Sequence, residues 1–342
     1  MNILLIKLSS IGDVVHTLPT LAEIRGLYPQ AHITWLVEEE AYDIIRGNPY
    51  INRIIVSKRK TWQKNLSNPS MLLKTLKDVS HFIREIRDTS YDLVIDLQGL
   101  FKSGILVYLA RGERKVGYDK TRELSYLFLN ERIKPFDPDE HAVLRYINLA
   151  KYLGANGTHL DFQIPVGKRD MEYIDRIINA SKRPIIAINP MARWKTKQWN
   201  HTRFAELADK IHHQLDAMVI FTGSKDHIID TARILSYMES EAINLVGKTT
   251  LKQLAYLFRR SKLVVSTDSG PMHIAAAVGA KVIALFGPTS PSRTGPFGEG
   301  HVIIRKELPC SPCLKRSCST LECMDLISVE DVFSNIQTAF SP

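Results

Sequence analysis

Ile3-Leu4-Leu5-Ile6-Lys7-Leu8-Ser9-Ser10-Ile11-Gly12-Asp13-Val14-Val15-His16-Thr17-Leu18 is the stretch on which the reading of this chain turns. Its apolar run has the length and composition of a buried strand. Ser9, Ser10 and Gly12 break the run, and Val14 onward opens a helix. Strand, polar turn and helix in that order form the repeating unit of a parallel α/β sheet. The turn then lies at the carboxyl edge of the sheet, where such proteins place their ligands. Asp13 sits in that turn. Two roles suit it: a helix cap, since Asp is preferred there, or a ligand-facing carboxylate.

Moving outward, the same grammar repeats along the chain. Strand-like runs at 3–8, 33–37, 53–56 and 93–97 alternate with helical stretches near 14–27, 70–88, 101–110 and 141–153. Residues 154–170, with Gly154, Gly157, Pro165 and Gly167, read as a linker. A second series follows, with strands at 184–188, 217–221, 263–266 and 282–286. Its helices fall near 201–213, 226–238, 250–261 and 271–278. A chain of 342 residues exceeds one typical core. The expectation is therefore two Rossmann-like domains, 1–165 and 166–342, with parallel sheets and a cleft between them. The terminal stretch 329–339 is expected to be helical and to pack back on the first domain.

Composition is that of a globular protein, and no apolar stretch reaches the length of a bilayer span. With no cleavable leader pattern, the chain is read as cytoplasmic. The net charge of +9 is regional: residues 53–122 hold 15 Lys and Arg against 7 Asp and Glu. Such a patch suits phosphate, carboxylate or anionic lipid, or is a solvated basic face. No zinc-finger, RNP or KH signature supports a nucleic-acid partner.

The second half holds the strongest local motif, Ser266-Thr267-Asp268-Ser269-Gly270-Pro271-Met272-His273, between a strand and a helix. Backbone N–H groups at a helix start bind anions, and Ser269-Gly270 lets a phosphate approach closely. Asp268 can accept from sugar hydroxyls, and His273 lies one turn into the helix. Asn189 to Trp199 repeats the placement after another strand, with Arg193, Lys195 and Lys197 as cations. Thr222-Gly223-Ser224-Lys225-Asp226 ends a third strand. Three such loops at one sheet edge fit an anion bearing hydroxyls, such as a nucleoside diphosphate sugar.

Taken in order, these pieces resemble the lipopolysaccharide core ADP-heptose heptosyltransferases of glycosyltransferase family 9. The resemblance rests on Lys7-x-Ser9-Ser10-x-Gly12-Asp13-x-x-His16-x-Leu18-Pro19, Asp96-x-Gln98-Gly99-Leu100-x-Lys102-Ser103, His141-Ala142-Val143-x-Arg145, Lys197-x-Trp199 and Asp268-Ser269-Gly270-x-x-His273-x-x-Ala276-Ala277. The second and third segments are most similar to the type I enzymes. The resemblance implies a GT-B fold and an inverting transfer of heptose from ADP-heptose to Kdo-lipid A at the cytoplasmic face of the inner membrane. It makes Asp13 the general base. Arg193, Lys197, Asp226, Thr267, Asp268, Ser269, Gly270 and His273 would bind the donor. Lys7, Ser10, Gly12, His16, Arg59, Lys60, Lys64, Lys102 and Arg122 would face the acceptor. Direct displacement needs a base on one side and charge neutralisation of the leaving diphosphate on the other. Lys and helix N-termini supply the second, so no metal cofactor is required for catalysis. Two alternatives stay open: a type II or III enzyme acting on a later core heptose, and a two-domain binding protein without chemistry.

The four cysteines are grouped as Cys310-x-x-Cys313, Cys318 and Cys323. The spacing is compatible with a structural zinc knot. It is equally compatible with reduced thiols packing a C-terminal loop.

Overall fold

The computed structural model describes residues 1–179 and 182–340. The chain divides into two compact units, Met1–Pro165 and Val166–Pro342. In the first, the elements run β1 (Asn2–Ile6), α1 (Ile11–Leu27), β2 (His32–Glu38), α2 (Glu39–Ile45), β3 (Arg53–Ser57), α3 (Arg59–Asn65), α4 (Pro69–Arg87), β4 (Ser90–Asp96), α5 (Phe101–Leu109), β5 (Arg111–Tyr118), β6 (Glu131–Ile133) and α6 (Ala142–Tyr152). The six strands are all parallel, in the order β3-β2-β1-β4-β5-β6. Ile3 through Ile6 are fully buried, as a central strand covered by helices on both faces requires.

The second unit runs α7 (Lys168–Ile178), β7 (Ile185–Asn189), α8 (His201–Leu215), β8 (Met218–Phe221), α9 (Ile228–Ser236), β9 (Ile243–Asn244), α10 (Leu251–Arg260), β10 (Leu263–Thr267), α11 (Gly270–Ala277), β11 (Val282–Leu285), α12 (Pro291–Thr294), β12 (Val302–Ile304), α13 (Glu322–Asp325) and α14 (Val329–Phe340). Its sheet, also parallel, is ordered β12-β11-β10-β7-β8-β9. Numbered within each unit, both sheets read 3-2-1-4-5-6. The strand order therefore reverses between β1 and β4 in one and between β7 and β10 in the other. Loops leaving the two central strands diverge at such a reversal and open a crevice for ligands.

Several elements depart from the expectation. β5 was not anticipated, because Arg-Gly-Glu-Arg-Lys lacks apolar and β-branched residues and stays largely exposed until Val116. The short β6 and β9, and helices α2, α3 and α7, were also missed. α7 occupies part of what reads as linker. Val329–Ala339 is helical, but its apolar face is used within the second unit. Val329, Val332, Phe333, Ile336 and Ala339 belong to that unit's core and pack toward α8 and strands β10 to β12. Among the described residues no helix is long and apolar enough to cross a membrane.

Candidate functional site

At the first unit's reversal point, the turn after β4 is built by Asp96. Its Oδ1 accepts from the backbone N–H of Gln98 at 3.0 Å and Gly99 at 3.1 Å, and its Oδ2 from Ser103 Oγ at 3.0 Å. Gly99 has φ +66, a conformation that costs an L side chain strain. The turn aims Gln98 Oε1 at the backbone N–H groups of Leu8 and Ser9, both at 3.0 Å. The loop leaving β1 is thereby pinned to the loop leaving β4. The Asp-x-Gln-Gly segment is scaffold for the neighbouring turn.

That neighbouring turn starts α1. Asp13 occupies the third helical position, half-buried. Its Oδ2 accepts from the Ser10 backbone N–H at 2.9 Å and from Ser10 Oγ at 2.8 Å. Its Oδ1 accepts from the Tyr146 hydroxyl of α6 at 3.3 Å, and that hydroxyl accepts from Lys7 Nζ at 2.6 Å. Capping and ligand-facing roles are thus compatible, since the cap bonds fix the carboxylate's orientation. Tyr146 was invisible to the sequence reading. It directly follows the His141–Arg145 segment, which points to no role for it, and packing of α6 on α1 brings it to Asp13.

Lys7 is not the acceptor-facing cation expected. It is buried, donates to Leu97 O at 3.1 Å and Tyr146, and lies 4.3 Å over the Tyr146 ring. Burial pushes its amine down to about 8, against the upward pull of Asp13 and Asp96. Burial also pushes the Tyr146 hydroxyl well above its ordinary value, with Asp13 adding to it. Asp96 is raised by burial too, in spite of the hydrogen bonds it accepts.

Other acceptor candidates divide. Ser10 is exposed as the helix cap, and Gly12 is buried in the first turn. His16 is buried and meets His141, the cap of α6, edge-on at 5.5 Å, so it supports the α1–α6 contact and does not face out. Lys102 donates to Ser9 Oγ and Glu38, and Arg59 to Glu38, all within 2.9 to 3.0 Å. Burial raises the Glu38 carboxyl, but these two cations outweigh it and hold the group below its usual range. Lys60 is tied to Glu40. Lys64 and Arg122 are exposed, the latter beside Glu123. Six of the fifteen cations of the basic stretch, Arg53, Arg59, Lys60, Lys102, Arg114 and Arg122, thus lie beside a carboxylate, and three of them use Glu38 or Glu40, which the one-dimensional count left outside it.

At the second reversal point, the loops after β7 and β10 are joined by side chains. Lys197 Nζ lies 2.6 Å from Asp268 Oδ2, which also accepts from Thr289 Oγ1 at 2.5 Å. Asn189 Nδ2 donates to Ser269 Oγ at 3.1 Å. Ser269 caps α11, whose first turn contains Gly270 and Pro271. Pro271 removes one N–H donor from that helix start, so more of any anion's neutralisation falls to Lys197. Trp199 is buried with its Nε1 donating to Ile327 O at 2.9 Å, and so anchors the loop. Thr267 corrects the expectation: it is buried and donates to Met191 O, an internal contact. His273 is buried one turn in. Arg193 is exposed in the β7 loop, and Asp226 is exposed in the turn before α9.

Three contacts of this loop escaped the sequence reading. Thr196 Oγ1 donates to Lys315 O at 2.9 Å. The Trp194 ring carries Lys197 Nζ at 4.7 Å and the Arg316 guanidinium at 4.9 Å. The cysteine segment thus braces the cationic turn. Its four thiols are free, and among the described residues no group of three or more His, Cys, Asp or Glu is arranged to hold a metal ion.

Comparison with known proteins adds to these observations. The family model described as glycosyltransferase family 9 (heptosyltransferase) matches residues 79–324. Lipopolysaccharide core heptosyltransferase OpsX of Haemophilus influenzae is 30% identical over 301 residues, spanning 86% of this chain and 82% of that protein. Lipopolysaccharide heptosyltransferase 1 of Pseudomonas aeruginosa is 30% identical over 326 residues, spanning 93% and 88%. The solved structure of E. coli heptosyltransferase WaaC with ADP superposes with a TM-score of 0.80 at 25% identity, covering 99% of this chain and 100% of that one. The two-unit α/β architecture is that of the GT-B class.

Proposed function

This chain belongs to glycosyltransferase family 9, the heptosyltransferases, and on that premise we propose that it moves heptose from ADP-heptose to a Kdo sugar of Kdo-lipid A. The observation that carries the reading is the carboxylate of Asp13, oriented at the start of α1 by Ser10 on one oxygen and Tyr146 on the other. Asp13 takes the proton from the acceptor hydroxyl as that oxygen bonds to the anomeric carbon. The bond from that carbon to the diphosphate oxygen breaks, ADP leaves with the electron pair, and the configuration inverts. Lys197, Arg193 and the α11 start neutralise the departing diphosphate, while Asp268 holds Lys197 in place. Ser269, Gly270 and His273 line the donor end, with Asp226 at the nucleoside. Ser10, Lys64 and Arg122 are the acceptor contacts that support this reading best. The acceptor is a membrane lipid, so the enzyme works peripherally at the cytoplasmic face of the inner membrane.

The test is ADP release from ADP-heptose with detergent-dispersed Kdo-lipid A, comparing wild type with Asp13→Ala. Acceptor-dependent release that collapses in the variant, with ADP-heptose binding retained by calorimetry, supports transfer and base together. Release only with an already heptosylated acceptor moves the protein to the later core step. Binding without release to any acceptor returns it to the class of ligand-binding proteins. Unchanged turnover after chelator treatment is expected, because every charge in the proposed step is met by side chains and backbone.

A further inference from the structure

The outer side of the α4–α5 layer carries a set of large apolar side chains that no part of the proposed chemistry uses. α4 and α5 cover the same face of the first sheet. Phe82 and Ile86 of one and Leu106 and Val107 of the other share a core with Leu4, Ile6 and Val94. Their outward rows therefore face the same way. On α5 that row is Phe101, Ile105 and Tyr108, spaced by four and three residues and so stacked on one helical face. Phe101 and Tyr108 both meet Phe128 edge-on, which places Ser125–Phe128 beside the row. Leu73 is 74% exposed, Tyr108 69% and Phe101 51%, and Leu76, Ile105 and Leu127 are exposed as well. Solvated surfaces rarely group such side chains without a partner.

The polar residues among them choose that partner. α4 exposes Lys74, Lys77, Arg84 and Arg87, against Asp78 and the half-exposed Glu85. α5 contains no acidic residue, and its one cation, Lys102, is held by Glu38 and Ser9. Glu123 is the acid nearest in the chain to Leu124 and Leu127. Exposed Leu and aromatic side chains with Lys and Arg in excess match a bilayer interface whose headgroups are anionic. We propose that the outer face of α4 and α5 docks on an anionic lipid bilayer, inserting Leu73, Leu76, Ile105 and Tyr108 at headgroup depth. This surface gives a physical form to the peripheral placement in the proposed function and rests on that reading.

Flotation with vesicles of phosphatidylglycerol and phosphatidylethanolamine tests it, with pure phosphatidylcholine vesicles as the neutral control. Wild type is expected to partition about tenfold or more strongly onto the anionic vesicles. Leu73→Ala/Tyr108→Ala is expected to lose about tenfold of that binding, with an unchanged unfolding midpoint because both side chains are exposed. Lys74→Gln/Lys77→Gln is expected to lose binding at low salt and to leave the residual binding at high salt. Wild type that fails to float, or an apolar variant that floats as wild type does, overturns the surface. Transfer to detergent-dispersed acceptor, assayed in parallel, keeps the two readings apart. Transfer without vesicle binding overturns the surface alone, and vesicle binding without transfer supports the surface and removes the enzyme reading.

Discussion

The two units arrange the same strand order around opposite charges. In the first, Lys7 is buried beneath the reversal point and Asp13 lies above it, linked by the Tyr146 hydroxyl. In the second, Asp268 is the buried member and Lys197 is the outer one, its side chain 16% exposed against 5% for Asp268. Topology decides where a ligand goes, and the order of a buried pair decides what it meets there. A carboxylate held outermost by hydrogen bonds suits proton removal. A lysine held outermost by a carboxylate suits a diphosphate. In the first unit the inner Lys7 acts on Asp13 through Tyr146, and in the second Asp268 bonds Lys197 directly, so exchanging roles between the units requires more than one substitution.

The largest expected effect is at the outer carboxylate. Asp13→Asn keeps the shape and an acceptor oxygen for Ser10 but removes the base, so kcat is expected to fall about 10²- to 10⁴-fold with ADP-heptose affinity unchanged. A loss that appears in donor affinity instead of turnover would return Asp13 to the role of a cap. Next comes the outer cation. Lys197→Met removes a charge-assisted contact to the diphosphate and is expected to weaken ADP binding about 10- to 100-fold. Asp268→Asn should weaken it less, because Thr289 still holds the position. If the two variants behave alike, Lys197 acts only through Asp268 and the outer-inner distinction fails for this unit.

A smaller effect reports on the inner member of the first pair. Lys7 deprotonates at about 8 in the fold against an ordinary 10.5. Between those values the unfolded chain holds the extra proton, so this group's contribution to stability increases with pH. The gain is about 2 kcal/mol from pH 8 to about pH 10. The measurement is urea unfolding of wild type and Lys7→Met across that window. The difference between the two curves isolates Lys7 from the tyrosines, which push stability the other way at the alkaline end.

How much of this was legible in one dimension follows from what each side chain touches. Central strands announce themselves because burial on both faces demands continuous apolar runs, as in Ile3–Ile6 and Leu263–Val265. β5 did not, because an almost marginal strand with one exposed half needs no such run. The placement of Asp13, Lys197 and Asp268 beside the reversal points was legible because each follows a buried strand. Lys7 was misread because its charge suggested a surface, while its place at the end of β1 leads the side chain under Tyr146. Tyr146 and Thr289 were missed because their importance comes from partners 133 and 21 residues away. Part of the basic stretch is neutralised for the same reason, since Glu38 and Glu40 reach Arg59, Lys60 and Lys102 from the preceding strand and helix.

The smallest effect probes whether the second unit's outer lysine has a brace comparable to Tyr146. Trp194 is flanked by Lys197 and by Arg316, and the Lys315 carbonyl accepts from Thr196 in the same turn. A guanidinium over an indole at an exposed site contributes about 0.5 to 1 kcal/mol. Arg316→Ala is therefore expected to raise the KM for ADP-heptose about two- to fivefold with kcat unchanged, converting that energy at 1.4 kcal/mol per tenfold. Arg316→Lys should recover part of the loss, because an ammonium still attracts the ring face but does not stack on it. A fall in kcat at constant KM would mean that the segment carrying Arg316 acts on the transfer step. An unmoved KM in both variants would mean that Arg316 does not brace the turn, and the second unit's outer charge would then be held by Asp268 and the Trp194 face alone.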